Sequence, residues 1–94
     1  MTEKEWRQKF AIKIQNLMLD RGMTESSVCI RSGLSHAVIW RYLHAQRTPG
    51  VLSALNLAKA FGVSLDELVD FGESIDRFEL EGREFYDDFR REMQ

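Results

Sequence analysis

The sequence predicts an all-α fold: a bundle of five short helices followed by a C-terminal extension. Three observations carry that expectation. Apolar residues recur every three or four positions, first at Trp6, Phe10, Ile14, Leu17 and Met18, the period of one buried helix face. Thr2, Thr24, Ser35 and Ser64 each stand where an N-cap belongs, and Gly22 and Gly62 stand where helices stop. The segment TESSVCIRSGLSHAVIWRYLHAQRTP, residues 24–49, reads as two short helices joined by a tight Ser32-Gly33-Leu34 turn.

The elements follow in order. Thr2 and Glu5 form a capping-box signal at the start of the first helix, and Gly22 closes it. The second helix is expected from about Glu25 to Arg31, and the third from His36 to about His44. Arg47-Thr48-Pro49-Gly50 is a loop signal. A fourth helix follows from about Val51 to Phe61, with Leu55, Ala58 and Phe61 among its apolar positions. Ser64, with Glu67 at the third helical position, opens a short fifth helix whose inward candidates are Leu65 and Leu68.

Beyond Asp70, Phe71, Ile75, Phe78, Gly82, Phe85 and Phe89 are spaced 4, 3, 4, 3 and 4, a narrow helical seam. Gly82 interrupts it, and a mid-helix glycine costs roughly 0.5–1 kcal/mol relative to alanine. A helix is the preferred reading. A β-hairpin, pairing RFEL with REFYD around Glu81-Gly82, is its rival. The expected division is 1–70 for the bundle and 71–94 for an acidic extension. The apolar seam residues Ile75, Phe78, Phe85 and Phe89 are candidates for a dimer or partner interface. The first helix, with Trp6, is another.

Ninety-four residues suggest one modest core. A lone cysteine forms no internal disulfide, and an intracellular, cytoplasmic setting is the simplest expectation. No apolar run is long enough to span a bilayer. The net charge of −2 hides a division. Residues 1–63 hold nine basic and four acidic side chains, a net +5, and residues 64–94 hold four and eleven, a net −7. The basic part suits phosphate, and the acidic part should face away from it.

Within residues 24–49, small Cys29 lies four positions before Gly33, and apolar Leu34, Ile39, Tyr42 and Leu43 follow. This is the pattern of a helix-turn-helix, whose second helix fits the major groove of DNA. From about Phe10 to Val69 the chain resembles the Cro/repressor-type helix-turn-helix family, also called the Xre family. The matching pieces are RGMTESSVCIRSGLSHAVIWRYL, the QRTPG loop and LAKAFGVSLDELV. The resemblance implies a five-helix repressor-like bundle whose third helix enters the major groove. It places His36, Ala37 and Arg41 toward the bases and Trp40 on the rim.

The helical spacing gives the same face unaided. With Ile39 and Leu43 one turn apart and inward, His36, Ala37, Trp40, Arg41 and His44 are left outward. Arg41 is the best reader, because its planar fork can take guanine O6 and N7 together. Ala37 suits a thymine methyl, and His36 can donate or accept. Backbone contacts are expected from Thr24, Ser26 and Ser35 near helix starts, and from His44, Gln46 and Arg47 after the third helix. Three departures from the family stand out. Glu25 occupies a position often held by a phosphate-bracing glutamine. Leu43 is apolar where many members carry a glutamate, and Met18 where some pair it with an arginine. Ala45 replaces a common glycine.

The expected function is a sequence-specific DNA-binding transcriptional regulator, a repressor acting as a homodimer. The alternative is an antitoxin or adaptor-type protein-interaction module with a weak or vestigial DNA surface, using the acidic tail on a protein partner. No enzyme is expected, since there is no Gly-rich phosphate loop, HExxH or GxSxG. No cofactor or metal is expected either: His36 and His44 lie two turns apart without a third ligand. Cys29 is expected to be simply small and buried.

Overall fold

The computed structural model describes residues 1–72. Over that range the chain is helical, with α1 at Glu3–Asp20, α2 at Glu25–Ser32, α3 at His36–Leu43, α4 at Val51–Phe61 and α5 at Leu65–Leu68. No strand occurs among the described residues, so the all-α expectation holds there. The helix-or-hairpin alternative for the extension, and its seam residues Ile75, Phe78, Phe85 and Phe89, lie outside the described residues.

Local chemistry sets the helix starts. The hydroxyls of Thr2, Thr24, Ser35 and Ser64 accept from the backbone N–H groups of Glu5, Ser27, Val38 and Glu67 at 3.1–3.2 Å. Each bond satisfies one of the N–H groups that a helix start leaves without a partner. α2 runs one residue further than the sequence indicates, to Ser32. α3 stops one residue earlier, with His44 as its C-cap.

The helix ends share a device. After α1, Gly22 has φ 60° and Met23 N–H donates to Met18 C=O at 2.8 Å. After α4, Gly62 has φ 73° and Val63 N–H donates to Ala58 C=O at 3.0 Å. After α3, Gln46 N–H donates to Arg41 C=O at 2.8 Å, and the left-handed residue is Ala45, with φ 55°. All three are Schellman-type closures. The turn after α3 therefore keeps the geometry expected of a glycine despite the substitution.

The helices enclose one core. α2 packs on α4 and α3, α1 packs on α3, and α4 packs on α5. Phe10, Ile14, Met18, Val28, Ile39, Leu57 and Leu68 are fully buried, each contributing about 1.5–3 kcal/mol through removal from water. Met18 and Leu43 join this core, so both positions are apolar and buried here. Phe10 is the aromatic centre: Trp6 stacks on it at 5.0 Å, and Tyr42 meets it edge-on at 5.9 Å. Phe71, just past α5, meets Trp6 edge-on at 5.5 Å. Trp6 is thus engaged by its own chain.

α1 buries more than its predicted stripe. Lys9, Ala11, Ile12 and Gln15 are also buried. Gln15 is 1% exposed, and its Nε2 donates to Leu43 C=O at 3.4 Å. Its Oε1 has no hydrogen-bond partner. The amide sits between α1 and the last residue of α3.

Candidate nucleic-acid interface

The paired helices α2 and α3 supply the candidate surface. Gly33, with φ 74°, lets the chain reverse between them, and its N–H donates to Cys29 C=O at 2.9 Å. Leu34 N–H donates to Ser32 Oγ at 3.2 Å, and Ser35 then caps α3. Val28 and Cys29 on α2 and Ile39, Tyr42 and Leu43 on α3 are buried in the shared core. Leu34 is only half-buried against it. Burial pushes the Cys29 thiol above its ordinary pKa, with the nearby Glu25 charge adding to the effect. A thiol held protonated is a packing residue, not a nucleophile.

With one face of α3 committed to the core, the opposite face is outward. His36, Ala37, Trp40 and Arg41 are all exposed there, and His44 is half-buried at the end of the helix. Arg41 and Arg47 are exposed, and their side chains make no hydrogen bond or ion pair with other described residues. Among the described residues nothing engages either guanidinium group. Trp40 and His44 lie one turn apart and stack, with ring centroids 3.8 Å apart and planes 20° apart. His44 Nδ1 lies 2.8 Å from Trp40 C=O, which fixes the ring against the helix end.

The predicted backbone-contact residues fall into two groups. Thr24, Ser26 and Ser35 are exposed at the starts of α2 and α3. The Thr24 and Ser35 hydroxyls already accept cap hydrogen bonds, which leaves the hydroxyl hydrogen of each as a donor. Glu25 is half-buried in the first turn of α2, a poor neighbour for phosphate. Gln46 and Arg47 are exposed in the loop after α3, where Gln46 Nε2 donates to His44 C=O at 3.3 Å.

The sequence did not reveal what holds that loop. Arg7 Nε donates to Thr48 Oγ1 at 2.9 Å, and Arg7 Nη2 pairs with Glu3 Oε1 at 2.8 Å. Thr48 Oγ1 in turn donates to the same Glu3 oxygen at 2.9 Å. This closed triangle ties the first turn of α1 to the loop that presents Gln46 and Arg47. The Thr48 hydrogen bond and the Arg7 charge hold the Glu3 carboxyl below its usual range. The Glu3–Arg7 spacing of four was visible in the sequence as a helix-surface pair. Nothing local pointed to Thr48.

Among the described residues no group of three or more His, Cys, Asp or Glu is placed to hold a metal ion. No described helix is long and apolar enough to cross a membrane.

A family model described as Cro/C1-type HTH DNA-binding domain matches residues 13–73. Comparison with curated proteins and with solved structures gives no match.

Proposed function

The chain belongs to the Cro/C1-type helix-turn-helix DNA-binding family, and from that premise we propose that it is a sequence-specific repressor that reads the major groove with α3 as a homodimer. Membership of the family makes it a DNA-binding regulator. One observation supports this reading most: the outward face of α3 offers an exposed Arg41, its side chain unengaged among the described residues, flanked by His36 and Ala37. In this reading Arg41 takes a guanine edge, Ala37 packs on a thymine methyl and His36 contacts a neighbouring base. Trp40 and His44 lie along sugar and phosphate. Thr24, Ser26, Ser35, Gln46 and Arg47 hold the backbone and set the register.

The functional division follows the charge. Residues 1–70 read DNA, and the acidic extension 71–94 stays clear of it, with Ile75, Phe78, Phe85 and Phe89 available for a second copy or a protein partner. A cytoplasmic location goes with this reading.

Selection from randomised duplex DNA, followed by titration across salt concentrations, tests it. A motif should emerge, and affinity should fall steeply with salt as phosphate contacts release counterions. Arg41→Ala should relax preference at one base position, and Arg47→Ala should weaken all sequences alike. No enriched motif, together with flat salt dependence, sinks the proposal.

A second reading has specific support. Glu25 opposes phosphate at the start of α2, and residues 64–94 carry a net charge of −7. Both suit an antitoxin or adaptor whose tail engages a basic protein. A stoichiometric basic partner on purification, with no DNA affinity in isolation, would favour that role.

A further inference from the structure

We propose that Thr48, held by Glu3 and Arg7 at the start of α1, is the positioning residue for Arg47 in its contact with the DNA backbone. The proposal deepens the reading of Arg47 as a phosphate contact and rests on it.

Arg47 lies exposed in the loop between α3 and α4, and its own side chain makes no hydrogen bond or ion pair with other described residues. Its neighbours on both sides are fixed. Before it, α3 satisfies the four carbonyls that a helix end leaves open. His44 N–H donates to Trp40 C=O at 3.0 Å, Gln46 N–H to Arg41 C=O at 2.8 Å and Ala45 N–H to Tyr42 C=O at 3.2 Å. Leu43 C=O accepts from Gln15 Nε2 of α1 at 3.4 Å. After it, half-buried Thr48 accepts from Arg7 Nε at 2.9 Å and donates to Glu3 Oε1 at 2.9 Å. Pro49 follows and disfavours helical backbone at Thr48. Glu3, Arg7, Ala11 and Gln15 recur every four residues, one row along α1. A single row of α1 therefore holds both ends of the segment that carries Arg47.

Magnitude decides what this tie is for. The Glu3 side chain is 64% exposed and that of Arg7 33%, and exposed pairs contribute little to stability. The main effect is geometric. A loop ordered before DNA arrives need not be ordered on binding, which removes one cost of association. The Thr48 hydroxyl carries no charge, so a change in salt dependence on its removal reports a cation that it places.

The test measures binding of the full-length protein to its selected duplex across salt concentrations, for wild type, Thr48→Val, Arg47→Ala and the double variant, with melting curves for each. Thr48→Val should weaken binding about fivefold, the scale of one hydrogen bond. It should lower the salt slope by about one phosphate contact and shift Tm by no more than about 4 °C. Arg47→Ala should weaken binding about tenfold with the same loss of slope. The double variant should bind within about twofold of Arg47→Ala alone, because the tie then has no cation left to place. Thr48→Ser keeps the hydroxyl and should bind within about twofold of wild type. Glu3→Ala breaks the tie from the other side and carries the test if Thr48→Val does not fold. Removing an acid by itself favours DNA, so weaker binding by Glu3→Ala supports positioning, and equal or tighter binding overturns it. Equal losses from Thr48→Val in the wild-type and Arg47→Ala backgrounds also overturn it, as does an unchanged salt slope. If Arg47→Ala binds like wild type, the reading of Arg47 as a phosphate contact fails instead, and this proposal with it.

Discussion

Trp40 and His44 stack at 3.8 Å on the outward face of α3, and the His44 ring is anchored to the Trp40 carbonyl. Trp40 remains 48% exposed. An aromatic pair that is ordered but open is suited to contact rather than to core packing, because its geometry is set before the partner arrives. Trp6, by contrast, is packed on Phe10 and Phe71.

The two tryptophans should therefore separate binding from stability. Trp40→Ala should weaken DNA binding about tenfold, close to the 1.4 kcal/mol that one decade represents, and lower stability by no more than about 1 kcal/mol. Trp6→Ala should lower stability by at least about 2 kcal/mol. Fluorescence anisotropy and thermal melts check the pair. Equal DNA affinity for wild type and Trp40→Ala would remove Trp40 from the interface.

Ala45 closes α3 in a left-handed conformation that glycine fills after α1 and α4. An L side chain there is strained by about 1–2 kcal/mol, partly offset by glycine's larger entropy loss on folding. Ala45→Gly should stabilise the fold by roughly 0.5–1 kcal/mol, raising Tm by about 4 °C for a domain this size. A melting temperature equal to or below wild type would contradict the assignment of strain.

The Glu3–Arg7–Thr48 triangle makes an acid-side prediction. The folded Glu3 pKa lies below its ordinary value of 4.5. Its contribution is therefore complete above that value and is lost as pH falls through the folded pKa. Glu3→Gln should be less stable than wild type at neutral pH and converge with it in strong acid. Thr48→Val should move the Glu3 pKa back toward 4.5, since the Thr48 hydrogen bond is the largest cause of the shift. Side-chain NMR titration reads this directly, and an unmoved Glu3 in Thr48→Val would refute it.

Gln15 is buried beside the end of α3 with one oxygen unpartnered. Gln15→Glu would place a carboxyl in that site, where burial raises its pKa. Between the unfolded and the raised folded pKa, the folded state would bind more protons, so stability would fall as pH rises through that window. The variant should lose about 2–4 kcal/mol at neutral pH and regain most of it in mild acid. Denaturant unfolding at two pH values decides, and a loss independent of pH would count against the buried-carboxyl account.

Much of this was readable from the chain. The hydroxyl caps and left-handed glycines act within a few residues, so Thr24, Ser35, Gly22 and Gly62 marked helix ends nearly to the residue. The spacing of Ile39 and Leu43 fixed the inward face of α3 and thereby exposed His36, Ala37, Trp40 and Arg41. Periodicity failed where a helix is apolar on several sides. α4 shows Leu55 as one more apolar residue, with nothing to say that it lies outward with Val51 and Leu52. The same pattern gave no warning that Gln15 is buried.

By itself, then, the sequence determined the helices of residues 1–72, their ends, the outward face of α3 and the separation of basic from acidic segments, because those depend on short-range hydrogen bonds, backbone sterics and period. Only the tertiary structure decided that Thr48 meets Glu3 and Arg7 more than 40 residues away, that Gln15 reaches Leu43, and which apolar edge of α4 the described residues leave uncovered. Those outcomes depend on how whole helices pack, and helix packing brings together residues whose separation along the chain carries no local signal.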